Sequence, residues 1–567
     1  MKQNQTNHHQ QFYCLQFLHF MVFLFGCLLI STLGLCQTKS SDTTIKRDGK
    51  TIVIIGADRY NFQQPDSNNQ FASLGGHAIV QQERTVFSAD SIVLNQKMNT
   101  LEALGNVHIN DADSIHTYSQ YLKYVGKEKK AYLSKQVKLS DGKAVLTTND
   151  LVYDVQLKTG TYTNGGKVVN GKTVLTSGEG YYYGDTRDVY FKKHVILKDP
   201  EFNITTDTLL YNINSSISTF VTKTKIVNGK RTIITSDGFY DTKNKKAYFG
   251  KRTFIDDSSY TFVADKASID EQTGKSEYDG NAVYKSKDSI NGYDLVAGNI
   301  KVNKQTNSFL ATKKPLLLIK QEKDTIYITA DTLFSSKHSL LQKNGRTIVN
   351  VREGAYFDKR DSLKTKISNL LKDTSTDRYF EAYYNVKIFS DSLQAVSDSM
   401  FYSLEDSVFR LFKTPIAWTQ NNQITGDTML LYLANKKPER LLVYENAMTI
   451  EKVGDNYYNQ LRGNSINAFF IKGKIDHIRA KGSAETVYYG IDDAKKFIGV
   501  NKATCDIIDM YFEKGKEESS PQKILFRNNL QGTAYPMRQV NHEELRLRKF
   551  QWLNDRRPKT KFEILGN

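Results

Sequence analysis

The sequence predicts an all-β fold: an elongated array of repeated antiparallel hairpins with a short C-terminal helix. Three observations support this prediction, namely a 29-residue repeat that keeps its register over residues 126–270, an alternation of period two inside each repeat, and turn-forming residues at both ends of each strand. Internal repeats of this length indicate a stacked array. The repeat is clearest in a column of tyrosines at 29-residue intervals: Tyr124, Tyr153, Tyr182, Tyr211 and Tyr240.

Each repeat consists of two predicted strands. In residues 131–140, Leu133, Val137 and Leu139 lie on one side of the alternation, and polar residues lie on the other. This period of two is typical of a half-buried strand. The strands are about 10 to 12 residues long, whereas strands of about 5 to 6 residues are the most common. A bend is therefore expected halfway along them, near Asn149, Gly178, Asp207, Ser236 and Asp265.

The predicted turns fall at both ends of the repeat. The dipeptides Asp141-Gly142, Asn170-Gly171 and Asn228-Gly229 tolerate positive φ and predict the two central residues of type I′ hairpin turns. Polar segments at the other end of the repeat predict longer turns at residues 184–188, 212–216, 241–245 and 270–274.

The apolar residues form columns with the same spacing of 29 residues. Neighbouring strands lie about 4.8 Å apart, so these columns predict continuous apolar stripes along the array. Two interpretations stay open: the stripes form a dry core, or they line a trough that shields apolar chains. In the second interpretation the lining residues are Leu133, Val137, Leu139, Leu146, Leu175, Phe191, Val195, Leu197, Ile204, Phe220, Ile226, Ile233, Phe249, Ile255 and Phe262.

Composition restricts the class of protein. The chain has 567 residues, 33 Tyr, 30 Phe and only 8 Pro, a balance that favours strands. The net charge of +17 suits an anionic partner such as nucleic acid, an acidic polysaccharide or lipid phosphate, although a basic soluble protein has the same composition. Cys505 is the one cysteine outside the N-terminal apolar segment, so neither a disulfide framework nor a cysteine-based metal site is expected.

The N-terminus predicts the compartment. Residues 17–35 are a largely apolar run, and Gly34-Leu35-Cys36 can serve as a signal-peptidase site with Gln37 as the first mature residue. The alternatives are a retained membrane anchor, for which the run is just long enough, and a lipoprotein signal, for which Leu35 is too bulky. All three place the rest of the chain outside the cytoplasm.

We expect five regions along the chain. Residues 1–36 form the signal peptide or anchor, residues 37–336 a first β array, and residues 337–378 a charged linker or insertion. Residues 379–490 resume the array, since Asp398 and Asp427 are again 29 apart, and residues 491–567 form a hairpin and a basic helical tail. The helix is predicted to begin at Asn541, which has the spacing of a cap to Glu544. The tail is interpreted as a solvated helix packed by Leu545, Phe550 and Trp552, the alternative being a surface that docks on acidic lipid.

The sequence lacks recognisable catalytic and metal-binding motifs. It has no glycine-rich phosphate loop, zinc-protease motif or nucleophile elbow, so no enzyme activity, cofactor or metal is predicted. His108, His116 and His194 lack a second ligand at a fixed offset and are interpreted as surface or wall residues rather than metal ligands. Catalysis needs one pair of carboxylates, whereas recurring carboxylates indicate a structural role at bends or turns. The recurring set is Asp207, Asp265, Asp331, Asp398 and Asp427.

One recurring element carries a family resemblance. Ala89-Asp90-Ser91-Ile92 returns as Thr206-Asp207-Thr208-Leu209 and Ala330-Asp331-Thr332-Leu333, and Gly105-Asn106-Val107 returns as Gly280-Asn281-Ala282. In this order and spacing the elements resemble the OstA/LptA-like β-jellyroll family of lipopolysaccharide transport proteins. The resemblance extends over residues 57–334 and, more loosely, 379–489.

The resemblance implies a function and partners. It implies a non-enzymatic periplasmic protein that binds lipopolysaccharide through its lipid A, shields the acyl chains in an apolar groove and helps to bridge the inner and outer membranes. The implied partners are other lipopolysaccharide transport proteins at both membranes and further copies joined end to end, and not nucleic acid. The alternatives are an extracellular β-solenoid, adhesin or polysaccharide-binding scaffold, and a carbohydrate-active β-helix enzyme. The outer-membrane member of the same system is disfavoured, because its large barrel requires many more lipid-facing strands.

Overall fold

The computed structural model describes residues 52–111, 115–289, 292–320, 325–343, 377–434, 437–471, 474–492, 494, 496–512 and 521–565. The predicted signal peptide or anchor, including its cleavage site, lies outside these residues, as does most of the predicted linker. Among the described residues, no helix has the length and apolar character needed to cross a membrane.

The described residues form one continuous antiparallel array in which each strand pairs with strands close to it in sequence. The first half contains β1 (Val53–Gly56), β2 (Arg59–Gln63), β3 (Phe71–Gln82), β4 (Thr85–Asn95), β5 (Thr100–Asp111), β6 (Ile115–Val125), β7 (Lys130–Ser140), β8 (Ala144–Asp154), β9 (Thr159–Tyr162), β10 (Gly166–Asn170), β11 (Thr173–Ser177), β12 (Glu179–Tyr183), β13 (Asp188–Lys198), β14 (Asn203–Asn212), β15 (Ile217–Phe220), β16 (Thr224–Asn228), β17 (Arg231–Thr235), β18 (Gly238–Asp241), β19 (Lys246–Phe249) and β20 (Thr253–Asp256).

The second half continues with strands of the same kind and two short helices. The strands are β21 (Tyr260–Ala264), β22 (Lys266–Asp270), β23 (Lys275–Ser286), β24 (Tyr293–Asn303), β25 (Ser308–Thr312), β26 (Leu316–Lys320), β27 (Thr325–Thr329), β28 (Thr332–Ser336), β29 (Tyr379–Phe389), β30 (Gln394–Ser403), β31 (Val408–Phe412), β32 (Ile416–Thr419), β33 (Asn422–Thr425), β34 (Thr428–Ala434), β35 (Lys437–Lys452), β36 (Tyr458–Ile471), β37 (Lys474–Ile491), β38 (Phe497–Phe512), β39 (Pro521–Arg527) and β40 (Gln531–Tyr535). The α-helices are α1 (His338–Lys343) and α2 (Lys561–Leu565). Thus the predicted all-β hairpin array with a short C-terminal helix is confirmed.

Hydrogen bonding continues across the predicted linker. Strand β29 follows the linker in sequence and pairs with both β27 and β28, which precede it. Strand β38 in turn pairs with β37, β39 and β40, so the array extends to Tyr535.

Every rung of the array bends in the middle. At Gly178 the chain passes from β11 to β12, and at Asp265 it passes from β21 to β22. At Asp207 the strand β14 runs through, but its pairing with β13 shifts register opposite Lys193 and His194, which both have positive φ. The bends therefore lie where the change of alternation predicts them.

Four of the five recurring aspartates, Asp265, Asp331, Asp398 and Asp427, contact side chains of neighbouring bent segments. Asp265 accepts hydrogen bonds from Asn281 Nδ2 at 2.9 Å and from Arg252 Nη1 at 3.0 Å, on the neighbouring bent segments. Equivalent asparagine–aspartate pairs join strands elsewhere in the array, with distances of 2.9 to 3.1 Å: Asn106–Asp90, Asn385–Asp331, Asn446–Asp427 and Asn529–Asp506. The carboxylates thus act in the architecture, as their recurrence indicates.

The tight turns differ from the prediction by one residue. Asn170 pairs with Thr173, so Gly171 and Lys172 are the two central residues, and of these only Gly171 has positive φ, at 58°. A glycine with positive φ at the first central position is typical of a type II′ turn rather than type I′. Gly229, with a φ of 56°, occupies the same place in the hairpin that joins Asn228 and Arg231.

The bends divide every rung into two halves, which we call leg A and leg B. Leg A ends in the tight hairpins, such as those at residues 141–143, 171–172 and 229–230, and their row is lip A. Leg B ends in the longer turns, such as those at residues 184–187, 242–245 and 271–274, and their row is lip B. The two legs enclose the interior, and the line between lip A and lip B is the mouth.

The tail after Tyr535 does not form the helix that the sequence predicts from Asn541 onward. Residues 542–545 make a single turn, and the tail then crosses the outer face of leg A in a mostly irregular conformation. A short 3-10 helix spans Asn554–Arg556, and α2 begins at Lys561. Leu545 and Leu547 are both buried, a spacing of two residues that fits an extended chain and not a helix.

Glutamine side chains on leg A fix this irregular tail. Gln394, Gln423 and Gln460 are almost fully buried, and each bonds to the tail. The bonds of Gln423 and Gln460 take up backbone groups that a helix would otherwise use. They run from Leu547 N to Gln460 Oε1 at 2.8 Å, from Leu553 N to Gln423 Oε1 at 2.6 Å, from Gln423 Nε2 to Gln551 O at 2.7 Å and from Arg557 Nε to Gln394 Oε1 at 2.9 Å.

Candidate functional site between the two legs

The predicted lining residues converge in the interior. Four of them come from leg B, namely Leu133, Phe191, Phe220 and Phe249, and all four are buried. The other eleven come from leg A. Two of these, Leu139 and Leu146, are half-buried and packed against the core. The other nine are buried: Val137, Leu175, Val195, Leu197, Ile204, Ile226, Ile233, Ile255 and Phe262.

The interior is packed in this conformation. The rings of Phe262 on leg A and Tyr278 on leg B stack across it with centroids 3.7 Å apart. A cavity of about 30 Å³ lies between Phe202 and Phe249, and one of about 50 Å³ lies between Ile326 and Leu441. Such volumes hold a few water molecules at most, so neither cavity accommodates an acyl chain in this conformation. Buried apolar side chains fill the interior in two clusters, one within residues 72–162 and one within residues 175–510, and the interior is not an open trough here.

The larger of these interior cavities has a lining that the sequence did not single out. It lies in the second half of the array and includes two serines, Ser390 and Ser392, together with Leu393, Leu433 and Pro438 from the two lips. These lip residues fall outside the 29-residue columns of residues 126–270. The apolar residues Leu393, Leu433 and Pro438 lie at or beside turns, where polar residues are usual, and this was the available signal.

Side-chain contacts cross the mouth between leg A and leg B at several places along the described residues. Arg187 Nη1 on lip B lies 3.9 Å from Asp141 Oδ2 on lip A, and Lys245 Nζ on lip B lies 3.5 Å from Glu201 Oε1 on lip A. The rings of Phe202 on lip A and Tyr240 on leg B meet edge to face at 5.3 Å. Among the described residues, no backbone hydrogen bond crosses the mouth, so side chains alone hold the two lips together there.

The repeated tyrosines lie just inside lip B. Tyr182 Oη accepts a hydrogen bond from Arg187 Nη1 at 2.7 Å, and Tyr240 Oη donates one to Glu271 Oε2 at 3.2 Å. Burial raises the pKa of both phenols, and the field of Arg187 partly offsets this rise for Tyr182. The tyrosines thus stay neutral and form an amphipathic border between the apolar interior and the charged lips.

A polar cavity of about 300 Å³ opens at the mouth beside the cavity under Phe202. Its charged residues come from both lips: Lys230, Arg231 and Asp257 from lip A, and Asp270, Glu271 and Lys304 from lip B. Arg231 is largely buried and its Nε lies 3.2 Å from Asp257 Oδ2. Basic and acidic groups therefore stand directly above an apolar interior.

Two histidines come together on the outer face, a contact that the sequence did not predict. His108 Nε2 on β5 lies 3.1 Å from His116 Nδ1 on β6, and the ring of His108 stacks on Tyr118 with centroids 4.5 Å apart. Strand register creates this proximity, which a fixed offset along the sequence cannot reveal. No group of three or more metal-ligating side chains occurs in the part of the chain that is described.

Both ends of the array have open edges in the described part of the chain. Strands β1 and β2 pair on one side only, with β3, and Tyr60 and Phe62 of β2 are exposed. Strands β39 and β40 likewise pair only with β38. Such edges present unpaired backbone groups to another strand.

Comparison with known proteins gives a family and a structural neighbour. Residues 49–207 and 203–265 match the OstA-like protein family. Among solved structures, the chain resembles LptH from Pseudomonas aeruginosa, described as the LptA-homologous periplasmic component of the lipopolysaccharide transport device. The two are 19% identical over 19% of this chain and 80% of that chain, with a TM-score of 0.18. No curated protein matches the chain.

Proposed function

We propose that this chain, whose residues 49–265 belong to the OstA-like family, is a non-enzymatic carrier of lipopolysaccharide that shields the acyl chains between its two legs. The observation that carries the proposal is the apolar interior, which runs along the array behind a mouth that side chains alone close. Transfer of an acyl chain from water is favourable by about 0.8 kcal/mol for each methylene. Several chains on one molecule therefore require a long apolar surface rather than a compact pocket.

The packed interior means that loading requires the legs to move apart. Hydrogen bonds run along the array within each leg, and the legs are joined to each other at the bends. Separation at the mouth therefore leaves the backbone ladders intact and exposes apolar side chains, which the entering acyl chains cover again. The bend acts as the hinge, and the lips act as the point of entry.

The open edges support a role in bridging two membranes. An exposed strand edge binds another strand through backbone hydrogen bonds, a recurrent mode of recognition. We propose that β1 and β2 at one end and β39 and β40 at the other join further copies, or other lipopolysaccharide transport proteins at the inner and outer membranes. Strand pairing at these ends aligns the apolar interiors of neighbouring proteins into one continuous path.

The same proposal places the protein in the periplasm. The apolar run before Gln37 supports export, with cleavage near Cys36 and Gln37 or retention as an inner-membrane anchor. The array needs no cofactor for this role, and Asp265, Asp331, Asp398 and Asp427 are engaged at bends.

A second candidate is an extracellular β-solenoid scaffold that binds polysaccharide or serves as an adhesin. The packed interior favours it, because a scaffold requires a closed core and no acyl chain. The two functions differ in the part of the ligand that they recognise.

A binding experiment separates the two candidates. The purified chain is titrated with lipopolysaccharide and with the polysaccharide left after its lipid A is removed. A lipid carrier binds only the acylated form. Equal binding of both forms would favour the scaffold and contradict the carrier.

A further inference from the structure

Two cavities of opposite character meet at one place along the mouth. The apolar cavity is lined by Phe202, Ile204 and Phe249 among others, and the polar cavity is lined by Lys230 and Lys304 among others. They share four lining residues, Asn228, Arg231, Ile269 and Glu271, so they are contiguous. A ligand at this place would therefore contact apolar and charged groups at once.

The acidic groups of the polar cavity already have partners. Asp257 pairs with Arg231 at 3.2 Å, and Asp270 Oδ1 accepts a hydrogen bond from Thr273 N at 3.0 Å. Glu271 Oε2 accepts the hydrogen bond from the hydroxyl of Tyr240. These contacts hold the carboxylates in place on the two lips.

Lys304 differs from these groups. Among the described residues, no carboxylate lies within ion-pair distance of its ammonium group, although Asp257 and Glu271 act on it from farther away. Burial, and then the positive charge of Arg231, lowers the pKa of Lys304. Arg231 and Lys304 line the same cavity, and an anion between two neighbouring cations is attracted by both.

The two cations differ in the chemistry that they offer to an anion. The guanidinium of Arg231 is planar and suits the oxygens of a phosphate, and it is held by Asp257 and largely withdrawn from solvent. Lys304 stands on the opposite lip and supplies a compact charge on a flexible stem. An anion bound by both would touch lip A and lip B together.

We propose that Arg231 and Lys304 bind a phosphate-bearing head group of the amphiphile, while its acyl chains enter the apolar interior beneath them. This inference rests on the proposed carrier function and adds the place and the chemistry of head-group recognition. It also gives the ligand a defined orientation, with its phosphate at the mouth of the rungs between residues 202 and 304.

The test compares lipid A that carries its phosphates with enzymatically dephosphorylated lipid A. The variants are Lys304→Gln, which removes the charge, Lys304→Arg, which keeps it, and Lys301→Gln as the matched control. Lys301 is a neighbouring exposed lysine 3.6 Å from Glu277. Loss of one charged hydrogen bond of about 1.5 kcal/mol corresponds to about tenfold in affinity.

We expect Lys304→Gln to weaken binding of phosphorylated lipid A about tenfold and to leave binding of the dephosphorylated form unchanged. Lys304→Arg should restore the affinity, and Lys301→Gln should have little effect. Thermal denaturation of each variant confirms that the fold is retained. Equal losses for both lipids, or equal effects of the two glutamine variants, would overturn this inference alone. Absence of binding to either lipid by the unmodified chain would overturn the carrier function as well.

Discussion

Arg187 on lip B approaches Asp141 on lip A across the mouth, with 3.9 Å between Nη1 and Oδ2, and the same Nη1 donates to Tyr182 Oη at 2.7 Å. One side chain therefore links the two lips and the tyrosine border of the interior. The side chains of Arg187 and Asp141 are 33% and 11% exposed, and at 3.9 Å the pair is long. Ion pairs near the protein surface contribute about 0 to 1 kcal/mol and are screened by salt. The contact fixes the position of the lips without preventing their separation.

Cross-linking the two lips should prevent loading of the interior. In the double variant Asp141→Cys/Arg187→Cys, a short bifunctional thiol reagent joins lip A to lip B. We expect uptake of a fluorescent acyl-chain probe to fall severalfold after cross-linking, because the legs can no longer separate there. Cleavage of a reversible cross-link between the two cysteines should restore uptake of the probe.

The matched control places the same cross-link within one lip. Lys158 Nζ and Asp185 Oδ1 form an ion pair of 3.0 Å, and both lie on lip B. Cross-linked Lys158→Cys/Asp185→Cys should load normally. If both cross-links reduced uptake alike, the mouth would not be the point of entry.

The glycine at the bend beside Asp265 should not tolerate a side chain. Gly280 has a φ of 76°, and a Cβ there would lie 2.6 Å from Asp265 Oδ2. We expect Gly280→Ala to lower the free energy of unfolding by about 1 to 2 kcal/mol, since left-handed backbone is unfavourable for alanine and the aspartate must move. Chemical denaturation measures the change, and Gly56→Ala, where a Cβ meets nothing within 4 Å, is the control. Equal stability of the two variants would show that the bend is not constrained in this way.

The C-terminal tail should detach when its glutamine anchors are removed. Gln423 is fully buried and exchanges hydrogen bonds with Gln551 O and Leu553 N. Unsatisfied buried groups cost about 1 to 3 kcal/mol each, so Gln423→Ala should expose the tail to proteases and to hydrogen exchange. Gln531→Ala, at an exposed position of β40, should leave both unchanged. A tail equally protected in both variants would contradict its attachment through glutamine.

Low pH should lower the stability of the second half of the array, because it protonates Asp509. Its carboxylate is completely buried and lies 2.6 Å from Arg479 Nε and 2.9 Å from Arg527 Nε. Burial favours the neutral form, but the two arginines outweigh it and lower the pKa of Asp509. Because its pKa is lower in the folded chain, ionised Asp509 stabilises the fold at pH values above the pKa of about 3.9 that it has in the unfolded chain. This stabilisation is lost as the pH falls through the folded-state pKa.

The variant Asp509→Asn tests this linkage. It should be less stable than the unmodified chain at neutral pH, and the difference should shrink as the pH falls below about 4. Denaturation midpoints across the pH range measure it. A difference that stayed constant with pH would rule out Asp509 as its source.

Much of the fold follows from local pattern. The columns through Phe191, Phe220 and Phe249 are buried where the 29-residue spacing places them, and the bends lie at the changes of alternation. Both depend on side-chain periodicity, which is a property of the sequence itself. The aspartate–asparagine pairs at the bends follow from the same recurrence.

Features that depend on distant contacts were not predictable. His108 and His116 meet through the register of β5 and β6. The tail lacks its predicted helix because Gln460, 87 residues away, bonds Leu547 N. Whether apolar columns enclose space or fill it depends on how the two legs pack, as Phe262 and Tyr278 show.

Photochemical capture of acyl chains tests the central claim most directly. A photoreactive residue is placed at Val137, Leu139 or Val195 in the interior, or at Lys138 on the outer face of the same strand as Leu139. After exposure to lipopolysaccharide and light, we expect the interior positions to become attached to its acyl chains and Lys138 to remain unattached. Capture at Lys138 alone, or at none of the interior positions, would contradict a carrier that shields lipid between its legs.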